Sequence, residues 1–344
     1  MTPLRSNFLW MTDPWQTLDH PQDTTLRLME EACLEGFSQA WCDVKTIRFE
    51  EGRVVMDVRP VLSITRATPA GSAPALLPGP LDPGSFRFAP AQVRAPEDFS
   101  QLHYRTDPPI DLAYLHPLQL LGLGLRGRTG HEVVNPLNVL FRHNEKFEAA
   151  TLPDLMPPSF VSSQWERLLS FGKSEGVTVL KPLHQAQSLG IELLDWRTSS
   201  TRDEAKAKLE RATSQFNTPV LLQRYLPGIA DGEVRLWFLD GKLLAYAKKL
   251  PPTGDFRVNM DGGSRLALHT LSEKEKTSVG KISGSLRAHR IRLTAVDLIE
   301  GFVTDFNFTS PGLITQMEAL LGENLAKPII RALNPLATRD DLWD

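Results

Sequence analysis

Residues 294–308 read TAVDLIEGFVTDFNF, two apolar runs separated by Glu300-Gly301. The pattern predicts a largely buried β-hairpin that carries the oxygen-bearing side chains of Asp297, Asp305 and Asn307. Asp305 and Asn307 are two residues apart on a strand, so both side chains point to one face of the sheet. Asp297 shares that face if the loop has three residues, and lies on the opposite face if Glu-Gly forms a two-residue turn. Three oxygen ligands on one face would suit a Mg²⁺ site. The alternative interpretation is that these side chains lie on a solvated face of the sheet and bind no metal.

The sequence before and after this hairpin contains further strands and helices. Residues 234–239 and 242–250 flank Asp240-Gly241, the strongest short hairpin signal in the chain. Two more short apolar runs predict buried strands, the first of which ends at Lys181. These runs are residues 177–180 and 220–222. Helical patterns cover residues 164–173, 202–215, 273–290 and, as one closing helix, about 316–333.

The N-terminal part of the chain has the strand–turn–helix order of an α/β domain. Residues 8–11 predict a buried strand, and Asp23 is the expected N-cap of the helix that follows. Residues 45–50 and 53–58 predict a β pair. Residues 66–97 contain seven prolines, which exclude a helix or a central strand there. This segment is either a long surface loop or an arm that docks on another subunit or closes over a site.

The composition is that of an ordinary globular protein and excludes several classes. Apolar residues make up 41% of the 344-residue chain and charged residues 23%, which excludes disordered, collagen-like and coiled-coil proteins. The net charge of -3 provides no basic excess for binding DNA or RNA. Cys33 and Cys42 are too few for a disulfide framework, and no stretch approaches the length of a membrane span. We therefore expect a cytoplasmic protein with no nucleic-acid or membrane partner.

Several polar side chains lie where a ligand could use them. Lys181 ends a buried strand, and a lysine in that position is either a phosphate ligand or a side chain that extends to solvent. Lys146 is a second candidate phosphate ligand. Arg235 lies in a strand between apolar neighbours, which argues against a simple solvated role. Arg257 and Asn259 lie in a loop that ends in a Gly-Gly pair, a composition that allows close approach of the backbone to a ligand.

The sequence lacks the signatures of several other enzyme classes. It has no HExxH motif or Cys/His spacing for zinc, no GxSxG of a serine hydrolase and no Walker A motif. A GxGxxG pattern at Gly122, Gly124 and Gly127 lies in a Leu/Arg stretch rather than after a clear strand, which argues against a dinucleotide site.

A series of short motifs follows along the chain, and together they carry a family resemblance. They are Asp13-Pro14, Asp23-Thr24-Thr25, Asp107-Pro108-Pro109-Ile110-Asp111, Val134-Asn135, Asn144-Glu145-Lys146, Val179-Leu180-Lys181-Pro182-Leu183, Gln223-Arg224-Tyr225-Leu226-Pro227, Asp231-Gly232-Glu233-Val234-Arg235, Arg257-Val258-Asn259 with Gly262-Gly263, and Asp297 with Asp305, Asn307 and Thr309-Ser310-Pro311. Each motif is short, but the ordered set extends over nearly the whole chain. In this order the motifs resemble those of bacterial glutathione synthetases, which are members of the ATP-grasp superfamily.

The resemblance implies an α/β (α+β) protein with the ATP-grasp fold, in which the nucleotide is held between two antiparallel sheets. An N-terminal Rossmann-like (pre-ATP-grasp) domain would occupy residues 1–125 and include the proline-rich segment. The lid part of the ATP-grasp fold would span residues 126–218, and the catalytic part, with a C-terminal tail, residues 219–344. We also expect a homo-oligomer, either a dimer or a tetramer.

The resemblance further implies a reaction and roles for individual residues. A small-molecule carboxylate would be activated as an acyl phosphate and then attacked by an amine, with release of ADP and phosphate. A true glutathione synthetase joins γ-glutamylcysteine to glycine. The implied cofactors are ATP and two Mg²⁺ ions, with Mn²⁺ as an alternative. For the nucleotide, the implied contacts are Lys146 and Lys181 with the phosphates, Gln223 with the nucleotide, the backbone of Arg224, Tyr225 and Leu226 with adenine, and Glu233 with ribose. The residues implied to face the reacting groups are Arg235, Lys249, Arg257 and Asn259. The residues implied to bind the metal ions are Asp297, Asp305 and Asn307.

The chain departs from the family pattern at several positions. The family's glycine-rich loop over the phosphates corresponds here to residues 184–188, HQAQS, with no glycine before Gly190. A loop without glycine is expected to lose the freedom to adopt positive φ. Asp305 replaces a glutamate, and Lys249 replaces an arginine and so removes a bidentate fork. Gly312-Leu313 replaces Thr-Cys in a region expected to recognise substrate.

Three hypotheses remain open from the sequence. The first is an active ligase, either a glutathione synthetase or a relative with another substrate. The second is a nucleotide-binding protein with little or no ligase activity, which would act as a sensor or scaffold. The third is a protein that acts through oligomer surfaces, such as the proline-rich segment or the C-terminal tail at residues 334–344.

Overall fold

The computed structural model describes residues 7–66 and 81–334, and its N-terminal sheet has a parallel centre. The strands of this sheet are β1 (Asn7–Thr12), β2 (Ser38–Asp43), β3 (Arg48–Glu50), β4 (Arg53–Ile64), β5 (Phe86–Phe88), β6 (Gln92–Arg94), β7 (Gln101–Tyr104) and β8 (Glu132–Val134). Strand β1 is parallel to both β2 and β7, and β7 is parallel to β8. This arrangement confirms the Rossmann-like character expected of the N-terminal part.

Three helices cover this sheet. They are α1 (Thr24–Leu34), α2 (Leu112–Gly124) and α3 (Leu137–Arg142). Helix α1 begins as predicted, because the Asp23 carboxylate accepts a hydrogen bond from the backbone N–H of Leu26 at 3.0 Å. Gly122 and Gly124 lie inside α2, so the GxGxxG pattern does not form a phosphate-binding loop.

The second sheet has four strands, all antiparallel. They are β9 (Ser159–Ser162), β10 (Val177–Pro182), β11 (Glu192–Asp195) and β12 (Val220–Arg224), in the spatial order β11-β10-β12-β9. Two helices, α4 (Trp165–Glu175) and α5 (Ser199–Ala212), contribute Leu168 and Leu209 to a core that also contains Leu180, Trp196 and Leu222. The helices and strands predicted in this region are therefore confirmed.

The third sheet has five strands and is also antiparallel. They are β13 (Glu233–Leu239), β14 (Lys242–Leu250), β15 (Arg265–Ala267), β16 (Leu293–Ile299) and β17 (Phe302–Asn307), in the spatial order β15-β14-β13-β16-β17. The helices of this part are α6 (Glu273–His289), α7 (Ile314–Leu321) and α8 (Ala326–Ala332). Both predicted hairpins are present, and the two antiparallel sheets confirm the expected ATP-grasp architecture. No helix in the described ranges is long and apolar enough to cross a membrane.

A β-bulge decides which face of the third sheet Asp297 occupies. Glu300-Gly301 forms a two-residue turn with positive φ at both residues, the geometry that was expected to put Asp297 opposite to Asp305. That expectation is wrong, because the register shifts beside Asp297. Leu298 pairs with Val303 but Asp297 pairs with Asp305, so one extra residue is accommodated in β17. Directly paired residues share a face, and Asp297 therefore lies beside Asp305.

Other predictions need correction in the N-terminal sheet. Strand β2 was not predicted, although it pairs with β1 along its whole length. The described part of the proline-rich segment is not a loop throughout, because β5 and β6 both pair with β4. These are three-residue strands at a sheet margin, where proline is tolerated on either side. Residues 67–80 of that segment lie outside the described residues, as do residues 335–344 of the C-terminal tail.

The predicted closing helix is two helices, because the backbone reverses at Gly322. Gly322 has φ 71° and ends α7, as expected of a glycine in the left-handed C-cap position. Glu318 then joins the two helices through its buried carboxylate, which accepts hydrogen bonds from the backbone N–H groups of Leu325 (2.8 Å) and Ala326 (3.0 Å). The same carboxylate accepts a hydrogen bond from Nε of Arg27 in α1 at 2.7 Å.

Glu318→Ala should lower the free energy of unfolding by about 3 to 5 kcal/mol, because it leaves the Arg27 guanidinium buried with fewer partners and removes the cap of α8. Urea denaturation measures this change. Glu323→Ala, an exposed glutamate a few residues away, is the matched control and should change stability by less than about 0.5 kcal/mol. Equal losses in the two variants would contradict the role assigned to Glu318.

Candidate functional site

A cleft of about 820 Å³, which includes space open to solvent, lies between the second and third sheets. Most of the residues that the sequence singled out line this cavity, and Asn259 is the exception. Asn259 instead lines an adjoining cavity of about 1090 Å³. The predicted residues in the first cavity are Lys146, Lys181, Gln223, Arg224, Tyr225, Leu226, Glu233, Arg235, Lys249, Arg257, Asp297, Asp305 and Asn307.

Asp297 is the most strongly held carboxylate in the cleft. Arg235 on the neighbouring strand binds it with two hydrogen bonds, from Nε to Oδ1 at 2.9 Å and from a terminal nitrogen to Oδ2 at 2.6 Å. Lys249 Nζ lies 3.2 Å from Oδ2, and Asn307 Nδ2 lies 3.4 Å from the same oxygen. Burial raises the pKa of Asp297, but Arg235 and Lys249 outweigh it and hold the pKa well below the usual range. Asp297 is therefore ionised.

Lys249 also forms an ion pair with Glu233 of the paired strand β13. Glu233 is half-buried in the cleft wall, and desolvation there raises its pKa despite the nearby lysine. The family resemblance implies a ribose contact for Glu233. In this structure its carboxylate is instead engaged by Lys249, so a sugar would have to share that carboxylate with the lysine.

The buried Lys146 forms a second ion pair with Asp305, which is half-buried. Lys146 Nζ donates to Asp305 Oδ2 at 2.6 Å. Burial lowers the pKa of Lys146, but Asp305 and the adjacent Glu145 raise it by more. Sequence analysis gave Glu145 no role, yet its carboxylate fixes the end of β17 by accepting backbone hydrogen bonds from Phe308 (2.7 Å) and Thr309 (2.9 Å).

Lys181 differs from the other cations because its partners are neutral. Its Nζ donates to Gln223 Oε1 at 2.9 Å and to the carbonyl oxygen of Thr304 at 2.8 Å. Thr304 is the residue that the bulge leaves unpaired. Burial lowers the pKa of Lys181 to about 8, since no carboxylate is bonded to it.

The donor set around Asp305 fits a hard divalent cation. No group of three or more His, Cys, Asp or Glu side chains in the described ranges is placed to hold a metal ion without further ligands. Asp297, Asp305 and Asn307 nevertheless share one face, and Asp305 Oδ1 is buried without a hydrogen-bond partner among the described residues. Mg²⁺ commonly takes one or two carboxylates and completes its shell with phosphate oxygens and water. These residues therefore fit a magnesium ion that arrives with a nucleotide.

The segment expected to hold adenine lies against an apolar wall. Val179, Ile191 and Ile229 line the cavity there. The backbone N–H groups of Arg224 and Tyr225 already donate to the carbonyl oxygens of Pro158 and Val177. The Leu226 N–H makes no hydrogen bond within the described residues and remains available to a ligand. The backbone contact to adenine therefore stays a prediction, and this geometry limits its N–H donor to Leu226.

The loop at residues 184–190 adopts positive φ without glycine. Gln187 has φ 54° and Ser188 has φ 61°, and both values lie in the left-handed region. The expectation that a loop without glycine loses the freedom to adopt positive φ is therefore wrong here. A non-glycine residue in that region costs about 1 to 2 kcal/mol. The loop is held by contact with the loop that carries Asn259, since Asn259 Nδ2 donates to the Gln187 carbonyl at 3.1 Å.

The adjoining cavity contains aspartates to which sequence reasoning gave no role in a ligand site. Asp19, Asp23, Asp107 and Asp261 line it. Partial desolvation of its carboxyl group and the nearby charge of Asp23 raise the pKa of Asp107 to about 6. Arg105 beside them is buried, with Nε bonded to Thr25 Oγ1 at 2.7 Å. The motifs at Asp23 and Asp107 carried part of the family resemblance, and this was the feature of the sequence that could have identified these residues as part of a site.

Comparison with known proteins gives one family. The family models described as "Prokaryotic glutathione synthetase, N-terminal domain" and "Prokaryotic glutathione synthetase, ATP-grasp domain" match residues 7–140 and 145–322. A glutathione synthetase of Parasynechococcus marenigrum is 33% identical over 249 residues, which cover 71% of this chain and 79% of that protein. A glutathione synthetase of Thermosynechococcus vestitus is 27% identical over 323 residues, which cover 93% and 97% of the two chains.

Solved structures share the fold at low sequence identity. The D-cycloserine synthetase DcsG is 15% identical, with a TM-score of 0.61 and coverage of 95% of this chain and 99% of its own. The ATP-grasp ligase PsnB, complexed with a minimal precursor, is 18% identical, with a TM-score of 0.58 and coverage of 96% and 99%. At these identities the likeness shows the ATP-grasp fold.

The lowered pKa of Lys181 predicts a pH-dependent stability. Between pH 8 and 10.5 the unfolded chain keeps this proton while the folded chain has lost it, so the free energy of unfolding rises with pH. Wild type should therefore gain about 3 kcal/mol over this window relative to Lys181→Met. Urea denaturation at a series of pH values measures the difference.

Lys173→Met is the matched control, because Lys173 is an exposed lysine on α4. Its stability difference from wild type should stay nearly constant over the same pH range. A Lys181→Met curve parallel to that of wild type would contradict the lowered pKa.

Proposed function

The chain belongs to the prokaryotic glutathione synthetase family, and from this premise we propose that it joins γ-glutamylcysteine to glycine. Its family and fold make it an ATP-dependent carbon–nitrogen ligase that resembles glutathione synthetase. The choice of substrates rests on the names of its relatives and on the chemistry of the two adjoining cavities. We further propose a cytoplasmic homo-oligomer, dimeric or tetrameric, with the domain division at residues 125 and 218.

The observation that carries the proposal is a set of four buried cations, two of which lie where the two cavities join. Lys146 and Lys181 lie in the first cavity, and Arg235 and Lys249 line both. A triphosphate in the first cavity would have its terminal phosphate close to a carboxylate held in the second. Buried cations stabilise the charge that develops on a transferring phosphoryl group, and they act strongly because water is excluded.

The proposed reaction has two steps. An oxygen of the substrate carboxylate bonds to the terminal phosphorus of ATP as the bond from that phosphorus to ADP breaks. The amine nitrogen then bonds to the carbonyl carbon of the acyl phosphate, inorganic phosphate leaves, and the surplus proton passes to solvent. Lys146 and Lys181 would offset phosphate charge, while Arg235, Lys249 and Arg257 would orient the reacting groups. No side-chain nucleophile is required.

We propose that Asp297, Asp305 and Asn307 hold the magnesium. When bound, Mg²⁺ would neutralise phosphate charge and polarise the terminal phosphoryl group. Two ions, replaceable by Mn²⁺, would match the charge of the triphosphate. The partnerless Asp305 Oδ1 supports this proposal.

The chemistry of the second cavity bears on the substrate. This cavity presents the carboxylates of Asp19, Asp23, Asp107 and Asp261, which favour a substrate with an ammonium group. γ-Glutamylcysteine carries one on its glutamyl part. A ligase for another amino-bearing acid is the second candidate, and Gly312 in place of the family's threonine favours it because Gly312 lines this cavity.

Release of ADP with Mg²⁺ and ATP, omitting γ-glutamylcysteine or glycine in turn, distinguishes these functions. Release that requires both substrates would support the proposal. Nucleotide binding without release would contradict it, and a panel of other amino acids and small acids would then test the second candidate.

Asp305→Asn should lower kcat/KM by about 100-fold or more, because an amide oxygen lacks the negative charge with which the carboxylate binds Mg²⁺. Saturation should also require more Mg²⁺, which a titration at fixed ATP measures. Asp203→Asn on α5 is the matched control, since Asp203 is exposed and lines neither cavity. Retention of wild-type activity and Mg²⁺ dependence in Asp305→Asn would remove this residue from the metal site.

A further inference from the structure

Gln187 occupies the boundary between the two cavities. Five residues line both cavities, and the other four are Arg235, Lys249, Val258 and Asn307. Three of these have polar side chains already bonded to Asp297, and Val258 is apolar. The side-chain amide of Gln187 makes no hydrogen bond to any described residue. Because Gln187 is exposed to solvent, its amide is free to exchange water for a ligand in either cavity.

The backbone of Gln187 is held in a conformation that its side chain disfavours. Both Gln187 and Ser188 have positive φ. Neighbouring groups maintain this conformation, because Asn259 Nδ2 donates to the Gln187 carbonyl at 3.1 Å and Leu189 N donates to the Ala186 carbonyl at 2.9 Å. Backbone conformations of this kind persist where surrounding contacts fix them, and they concentrate at functional sites.

We propose that the Gln187 side-chain amide donates a hydrogen bond to the terminal phosphate of ATP and retains it as that phosphoryl group passes to the substrate carboxylate. The inference rests on the proposed function, because it takes the direction of transfer between the cavities from it. A carboxamide supplies two N–H donors without charge. The side chain would thus provide the donors that a glycine-rich loop would supply from its backbone.

Substitution of Gln187 by glycine distinguishes two roles, because it has opposite effects if the amide donates to phosphate and if the residue only occupies a strained backbone position. If Gln187 only replaces glycine at a strained position, Gln187→Gly relieves the strain and improves function. If its amide contacts phosphate, the same change removes a donor and weakens function. Gln187→Glu adds a second test, because it keeps the size and the backbone preference of glutamine but places a carboxylate against the phosphate.

The experiment compares the binding of Mg·ATP and Mg·ADP by isothermal titration calorimetry, without acid or amine so that no turnover occurs. For Gln187→Glu we expect the Kd of Mg·ATP to rise at least tenfold and that of Mg·ADP by less than twofold, because ADP lacks the terminal phosphate. Gln187→Gly should raise the Kd of Mg·ATP about fivefold. Gln185→Glu, in the same loop but lining neither cavity, should change neither Kd.

Several outcomes would overturn the inference. Equal effects on ATP and ADP, no effect of Gln187→Glu, tighter ATP binding by Gln187→Gly, or no ATP binding by wild type would each do so. Absence of ATP binding by wild type would overturn the proposed function as well, and the other three results are separable from a failure of that function. Wild type that binds ATP but releases no ADP contradicts that function alone, whereas a Gln187→Glu variant with unchanged ATP binding in an active enzyme contradicts this inference alone.

Discussion

The buried carboxylate of Asp297 is the charge around which the cleft is arranged. Burial of an ion is costly unless it is paired, and a single carboxylate with one partner would not offset that cost. Here the pairing follows from strand register, because Arg235 lies directly opposite Asp297 and Lys249 lies directly opposite Glu233. The third sheet therefore sets the positions of four charged side chains through backbone hydrogen bonds alone. Their geometry needs no flexible loop.

Sequence patterns could predict most of this arrangement because the features involved are local. The alternation of apolar and polar residues and the Asp240-Gly241 and Glu300-Gly301 turns identify both hairpins, and Lys181 is marked by the apolar strand before it. The bulge at Thr304 could not be predicted in this way. It follows from packing and pairing across β16 and β17, which no turn residue encodes, and it decides the face that Asp297 occupies.

The other errors also arise where distant contacts outweigh local preference. The segment Phe86–Phe88 forms a strand among prolines because Phe86 and Phe88 contact Trp15, which supplies apolar burial that the local sequence does not reveal. The left-handed backbone of Gln187 depends on Asn259, 72 residues away. Composition argued against positive φ at that loop, and a tertiary hydrogen bond holds it. Local propensity is a weak guide wherever such partners exist.

The balance of charge in the cleft singles out Lys181. Lys146, Arg235 and Lys249 each have a carboxylate partner, whereas Lys181 is bonded only to neutral oxygens within the part of the chain that the structure describes. An anionic phosphate that approached Lys181 would supply the missing negative charge and favour its protonated form. Its pKa of about 8 would therefore rise on binding, and nucleotide binding above that pH would take up a proton. The cation whose charge is least compensated within the described protein is thus the one best suited to attract the phosphates.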